Sequence, residues 1–175
     1  MKTNIVLGVT GSIAAYKAAE LASRLKDRDY NVYPILTEDA KTIISQLTFD
    51  TLSQKRQQTP IPHVDLATLA DLIVIAPATA NTIGKIANGI ADNLLTTTVM
   101  AANCPVIIAP AMNTNMWNNN ILQNNIKFLK EQRYFFVDTE EGDLACGLKG
   151  KGRLAKTEKI LKAIEKLLNK TNTNN

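Results

Sequence analysis

Cysteine, histidine and aromatic residues are all scarce in this 175-residue chain, with two Cys, one His, four Phe, four Tyr and one Trp. Two Cys and one His cannot supply four clustered ligands, which argues against a structural zinc site, and no metal is expected. Two Cys also make no disulfide framework, which fits a reducing compartment and leads us to expect a cytoplasmic protein. Long apolar runs are missing too. The longest nearly apolar stretch, Leu72 to Ala80, is far short of the ~20 residues that span a bilayer, so no membrane partner is expected. The apolar opening Ile5 to Tyr16 looks leader-like. Its two glycines and the amphipathic pattern that follows it read instead as strand, turn and helix. The scattered aromatics do not interleave with a basic patch, which argues against nucleic acid.

What is present fits one folded domain over residues 1–170 with a frayed tail at 171–175; 45% of the residues are apolar, enough for a core without staples. Charge is uneven. Residues 149–175 carry eight Lys/Arg and two Asp/Glu, against a slightly acidic remainder. A solvated basic helix accounts for this, as does attraction of an anionic ligand near Lys149, Lys151 and Arg153. Short apolar runs alternate with helical patterns. Strands are expected at Ile5–Val9, Asn31–Leu36, Leu72–Ala76, Pro105–Ala109 and Tyr134–Asp138. Helices are expected over Ser12–Lys26, Glu38–Gln46 (capped by Thr37), His63–Ala70, Asn81–Ala87, Asp92–Ala102, Asn118–Arg133 and Thr157–Leu168. Thr48–Thr59 reads as a short strand and loop. Strands apolar throughout and joined by helices indicate a doubly wound α/β domain, a flavodoxin- or Rossmann-like parallel sheet with helices on both faces. Its ligand crevice belongs at the carboxyl ends of the strands, where the loops after each strand gather.

Those loops hold the informative residues. Gly8-Val9-Thr10-Gly11-Ser12-Ile13-Ala14 follows the first strand; with Thr at position 10 it is not the dinucleotide fingerprint, yet a helix N-terminus with Thr and Ser hydroxyls still suits a single phosphate. An ordinary tight turn would carry the same glycines. Thr37 and Ala78-Thr79-Ala80-Asn81-Thr82 repeat small polar residues at strand exits, and three such exits on one edge suggest a nucleotide-like cofactor. His63 follows the stiff turn Pro60-Ile61-Pro62 and is a candidate base, although a lone His is more often structural. Asn113 and Asn115 in Pro110-Ala111-Met112-Asn113-Thr114-Asn115-Met116-Trp117 are polar groups at a strand exit, and an amide can orient a carboxylate. Gly142 to Arg153 holds four of the eight glycines, as a surface loop or a lid would. Within it Cys146, flanked by Ala145 and Gly147 with Lys149 and Arg153 nearby, is a candidate reactive thiol, whereas Cys104 reads as inert core.

Four of these segments, in this order, resemble the flavin-dependent cysteine decarboxylase family over about residues 3–160: GSIAAYK at Gly11–Lys17, HVDLATLAD at His63–Asp71, PAMNTNMW at Pro110–Trp117 and LACGLKGKGR at Leu144–Arg153. The resemblance implies a bound FMN, with Gly11, Ser12 and Ile13 at its phosphate end or ring edge. Thr37, Thr79, Ala80, Asn81, Thr82 and Ala111 would complete the cradle. It further implies His63 as base, Asn113 on the substrate carboxylate, Cys146 as proton donor, and backbone contacts to substrate from Asp143, Leu144 and Ala145. The implied reaction oxidises a cysteine thiol to a thioaldehyde, loses CO2, and returns the electrons to the resulting enethiolate. Within the family, the LACG lid together with PAMN favours the branch serving coenzyme A biosynthesis, with the small molecule 4′-phosphopantothenoylcysteine as substrate, over the branch acting on peptides that end in Cys. Related flavin prenyltransferases lack the cysteine lid. Phosphatase-regulating relatives and flavodoxin-like electron carriers have no use for the set His63, Asn113 and Cys146. The resemblance also implies a homo-oligomer, a trimer or a dodecamer of four trimers, with flavin between subunits. A separate phosphopantothenoylcysteine synthetase is expected, since residue 175 leaves no room for a fused one. One departure stands out: Leu154-Ala155-Lys156-Thr157 follows Arg153, where the family usually has Met and then Glu-Pro.

Overall fold

The computed structural model describes residues 2–53, 60–143, 147 and 149–172. Five strands, β1 (Asn4–Val9), β2 (Asn31–Leu36), β3 (Leu72–Ala78), β4 (Val106–Pro110) and β5 (Phe135–Phe136), form a parallel sheet in the order β2-β1-β3-β4-β5. A separate antiparallel pair joins β6 (Glu140–Asp143) to β7 (Lys149–Arg153). The helices are α1 (Ala15–Asp27), α2 (Glu38–Lys41), α3 (Gln46–Leu52), α4 (Pro62–Leu69), α5 (Ala80–Ala87), α6 (Leu94–Ala101), α7 (Thr114–Trp117), α8 (Asn120–Glu131) and α9 (Thr157–Asn172). This strand order is that of the flavodoxin-like doubly wound sheet, in which the chain reverses direction of winding between β1 and β3.

Side-chain alternation along each strand feeds two cores. Ile5, Leu7 and Val9 of β1, Leu72, Val74 and Ala76 of β3, and Ile107 and Ala109 of β4 point to the face covered by α1 and α9. Val6, Ile73, Ile75, Val106 and Ile108 point to the face covered by α4, α5, α6 and α8. Because both faces are covered, β3 is buried along its whole length, which is why these strands read as continuous apolar runs rather than alternating ones. At Gly8 the backbone has no side chain to spare, since a Cβ there would lie 2.5 Å from Leu95 Cδ1 of α6.

Some local expectations are corrected. The helix capped by Thr37 stops at Lys41 instead of Gln46, and a second helix, α3, occupies Gln46–Leu52 where strand and loop were expected to begin. Ser45 caps α3, and the Gln46 side chain donates to Asp50 one turn on, at 3.0 Å. The remainder of the uncertain stretch, 54–59, lies outside the described residues. The helix expected over Asn118–Arg133 is the shorter α8, Asn120–Glu131, with the separate short helix α7 before it at Thr114–Trp117, and the last strand of the sheet shrinks to Phe135–Phe136. The departure after Arg153 has a local account: Leu154 and Ala155 are buried in the first core, and Thr157, opening α9, donates its hydroxyl to Glu20 of α1 at 3.2 Å.

Candidate functional site

The carboxyl ends of β1, β3 and β4 are tied to one another by hydrogen bonds. Thr10, 1% exposed, donates its Oγ1 to the Pro77 carbonyl at 2.7 Å and accepts the Thr79 N–H at 3.0 Å. The Ala111 N–H donates to the Ala78 carbonyl at 3.0 Å, which holds the third exit to the second. A Cβ on Gly11 would run into the Asp39 side chain, so that glycine lets the first loop lie against α2. The three exits border a cavity of about 430 Å³, within the range of small-molecule sites.

Many of the residues singled out in the sequence meet there. Gly11, Ser12 and Ile13 line the cavity from β1, Thr79 and Ala80 from β3, and Ala111 and Asn113 from β4. Asp143 reaches it from the far side, at the end of β6. Thr79 accepts the Thr82 N–H at 3.3 Å and so caps α5. Asn113 caps α7 in the same way, its Oδ1 accepting the Asn115 N–H at 2.7 Å, which orients the amide. The polar residue at this exit therefore has a local structural task as well as a place in the cavity wall. The α1 N-terminus differs, since its cap residue Ala14 makes no side-chain cap bond, while Ser12 Oγ accepts the Ala14 N–H at 3.3 Å. The Ala15 and Lys17 N–H groups already donate to the Ser12 and Ala14 carbonyls, which leaves those of Ile13 and Tyr16 for a ligand phosphate. The first turn also supplies an apolar wall, with Ile13 62% and Tyr16 59% exposed above the cavity.

Other expected residues stand elsewhere. Thr37 caps α2, accepting the Ala40 N–H at 3.3 Å, and is not among the described lining residues. Thr82 is buried with its hydroxyl 3.3 Å from that of Thr79, and Asn81 is exposed beside it. His63 lies in the first turn of α4 and likewise does not line this cavity. Leu144, Ala145 and Cys146 lie outside the described residues, between β6 and β7. The other cysteine, Cys104, is half-buried, and burial pushes its thiol up to about 11.

Several cavity residues were not singled out as a site beforehand. Tyr16 and Lys17 line it from α1, Met112 and Met116 from the β4 exit, and Gly152 and Leu154 from β7 and its end, on either side of Arg153, which the sequence did offer to an anionic ligand. The available signal was weak. Tyr16 and Lys17 sit inside the first motif, and the methionines flank Asn113, but their meeting with the β7 residues is a long-range event. The Gly-rich segment, expected as a loop or lid, has a paired base: Asp143 opposes Lys149 and Gly142 opposes Gly150. Arg153 lies across Gly142, where a Cβ would come within 2.5 Å of Nη1.

Comparison with known proteins agrees with this geometry. The Flavoprotein family matches residues 1–169. The chain is 49% identical over 172 residues to the coenzyme A biosynthesis bifunctional protein CoaBC of Bacillus subtilis, a match covering 93% of this chain and 42% of that protein. It thus spans about two fifths of the length of this bifunctional relative. It is 41% identical over 179 residues to the probable phosphopantothenoylcysteine decarboxylase of Streptococcus mutans, covering 96% of this chain and 100% of that one. Among solved structures it is similar to a PPC decarboxylase mutant complexed with pantothenoylaminoethenethiol, with TM-score 0.84, 31% identity, and coverage of 94% of this chain and 97% of that one. The FMN-dependent cysteine decarboxylase SpaF superposes with TM-score 0.81 at 30% identity, covering 96% of each chain. The match over nearly the whole length, on a sheet whose strand exits converge at one cavity, establishes that the chain belongs to the Flavoprotein family.

Proposed function

We propose that this chain is an FMN-dependent decarboxylase that converts 4′-phosphopantothenoylcysteine to 4′-phosphopantetheine in coenzyme A biosynthesis. The observation that carries the reading is the convergence of Gly11–Ile13, Thr79–Ala80, Ala111, Asn113 and Asp143 on one cavity at the carboxyl edge of the sheet. The residues fit the cofactor. The start of α1 offers the Ile13 and Tyr16 N–H groups to its phosphate, and the side chains of Ile13, Tyr16 and Met112 offer an apolar wall to its ring. Thr37, Asn81 and Thr82 would act at one remove, through the helix starts they shape. Bound FMN supplies a reversible two-electron sink, without which losing CO2 from cysteine would leave an unstabilised carbanion.

The chain's own residues do the rest. His63 takes the proton from the substrate thiol. Asn113, its amide fixed by the Asn115 N–H, holds the carboxylate so that the breaking carbon–carbon bond is presented in one orientation. The backbone of Asp143, Leu144 and Ala145 lines the substrate. Once CO2 has left, Cys146 delivers a proton to the enethiolate carbon as the electrons return, so the net reaction neither oxidises nor reduces the substrate. Each catalytic unit is a cytoplasmic homo-oligomer, a trimer or four trimers together, in which His63 of one copy serves the cavity of another. A synthetase activity supplies the substrate. Purified protein is expected to carry FMN, seen in its visible absorbance, and to release CO2 from 4′-phosphopantothenoylcysteine well above the rate with a Cys-terminated peptide. Colourless protein that takes up no FMN would end this reading, and a preference for the peptide would move the chain to the other branch of the family.

A further inference from the structure

We infer that Thr114 is a positioning residue: its hydroxyl ties the Asn113 loop to β7, and so sets where Asp143 and Arg153 stand at the cavity. The inference rests on the decarboxylase reading for its kinetic consequence, though not for the tie itself. Thr114 opens α7 directly after Asn113, and its Oγ1 donates to the Lys151 carbonyl at 2.7 Å. Two residues earlier, the Met112 N–H donates to the Gly152 carbonyl at 2.9 Å. Residues 112–114 therefore run along β7 as a third edge of the hairpin.

The approach is close enough to require glycine at both contacts on β7. A Cβ at Gly150 would lie 2.6 Å from Thr114 Oγ1. One at Gly152 would run into the Met112 carbonyl, at a residue whose φ of +132° already favours glycine. These two glycines serve close packing. Met112 and Asn113 line the cavity and Thr114 does not, and on the hairpin side Asp143 and Arg153 line it. Thr114 thus stands behind the wall and joins its two halves. The Met112–Gly152 bond alone is one point of attachment, about which a two-stranded ribbon can pivot. The Thr114 bond, one residue along β7, is a second point that fixes the ribbon's angle.

The test uses the FMN-loaded protein and two substitutions, Thr114→Val, which keeps the shape without the hydroxyl, and Thr114→Ser, which keeps the hydroxyl. Amide hydrogen exchange across residues 149–153 is expected to quicken in Thr114→Val and to return toward wild type in Thr114→Ser. Over the same pair, kcat/KM for CO2 release is expected to fall about three- to tenfold and then recover, the scale of one lost hydrogen bond. Tm and FMN affinity are expected to stay at wild-type values in both. Unchanged exchange in Thr114→Val overturns the inference, as does unchanged kcat/KM, a loss that tracks Tm or FMN affinity, or a failure of Thr114→Ser to restore. Should wild-type protein release no CO2, the decarboxylase reading falls, while the exchange measurement still supports or overturns the tie.

Discussion

At Cys104 a thiol sits against the second core, just before β4. Burial is the main cause of its raised pKa, and the neighbouring Asp71 carboxylate adds to it, so the thiol titrates at about 11 rather than 9.0. The nucleophile in thiol chemistry is the thiolate, which makes Cys104 a poor one near neutral pH. Iodoacetamide at pH 8 is expected to leave Cys104 largely unmodified in the folded protein, with modification rising as pH passes from about 9 toward 11; peptide mass spectrometry reads both. Rapid labelling of Cys104 at pH 8 would contradict its placement. The sign for stability follows. A thiol that holds its proton more tightly when folded contributes fully below about 9, and that contribution is lost as pH climbs to about 11. Thr10 shows the other way to keep a polar atom inside, with donor and acceptor both satisfied between the exits of β1 and β3.

Among the elements, α3 shows why patterns can mislead. Thr48, Phe49 and Thr51 favour a strand by type, yet Ser45 caps a helix there and Phe49 is fully buried against α1 and the first core. Phe49→Ala is expected to lower the unfolding free energy by about 3–5 kcal/mol in urea titration, the cost of a large core cavity. A loss under 1 kcal/mol would mean that α3 is not anchored as described. The long strands were legible because each is apolar over at least five residues and flanked by turn residues. The β6–β7 hairpin was not. EEGD and KGKGR carry no apolar alternation, and part of what holds β7 is Met112 and Thr114, almost forty residues away in the chain. The same holds for the cavity. Its loops could be placed at one sheet edge from strand positions alone, and Thr37 could be read as a cap. The arrival of Tyr16, Met116 and Arg153 depends on packing that no local pattern encodes. Gly150 and Gly152 suggested motion in the sequence, whereas their neighbours show contact.

At the level of the whole molecule, the position of His63 is the feature that bears most on assembly. Helix α4 leads through Ala70 and Asp71 into the start of β3, so its first turn, with His63, lies toward the carboxyl edge where the cavity also opens. Yet α4 packs on the face with α6, and no residue of α4 is among the described lining of the cavity. His63 is flanked by Ile61 and Val64, which are 53% and 44% exposed, an apolar border suited to burial against another copy of the chain. If the proposed oligomer shares its sites in this way, two inactive variants can repair one another. His63→Asn and Cys146→Ser chains, each inert alone, are expected to regain CO2 release when co-expressed and purified as mixed assemblies. Random mixing of equal amounts would restore about one site in four, because a site built from two chains can draw its histidine from one variant and its thiol from the other. Sites complete within a single chain would give no recovery at any mixing ratio, and size-exclusion chromatography with light scattering on the same samples separates that outcome from a failure to assemble.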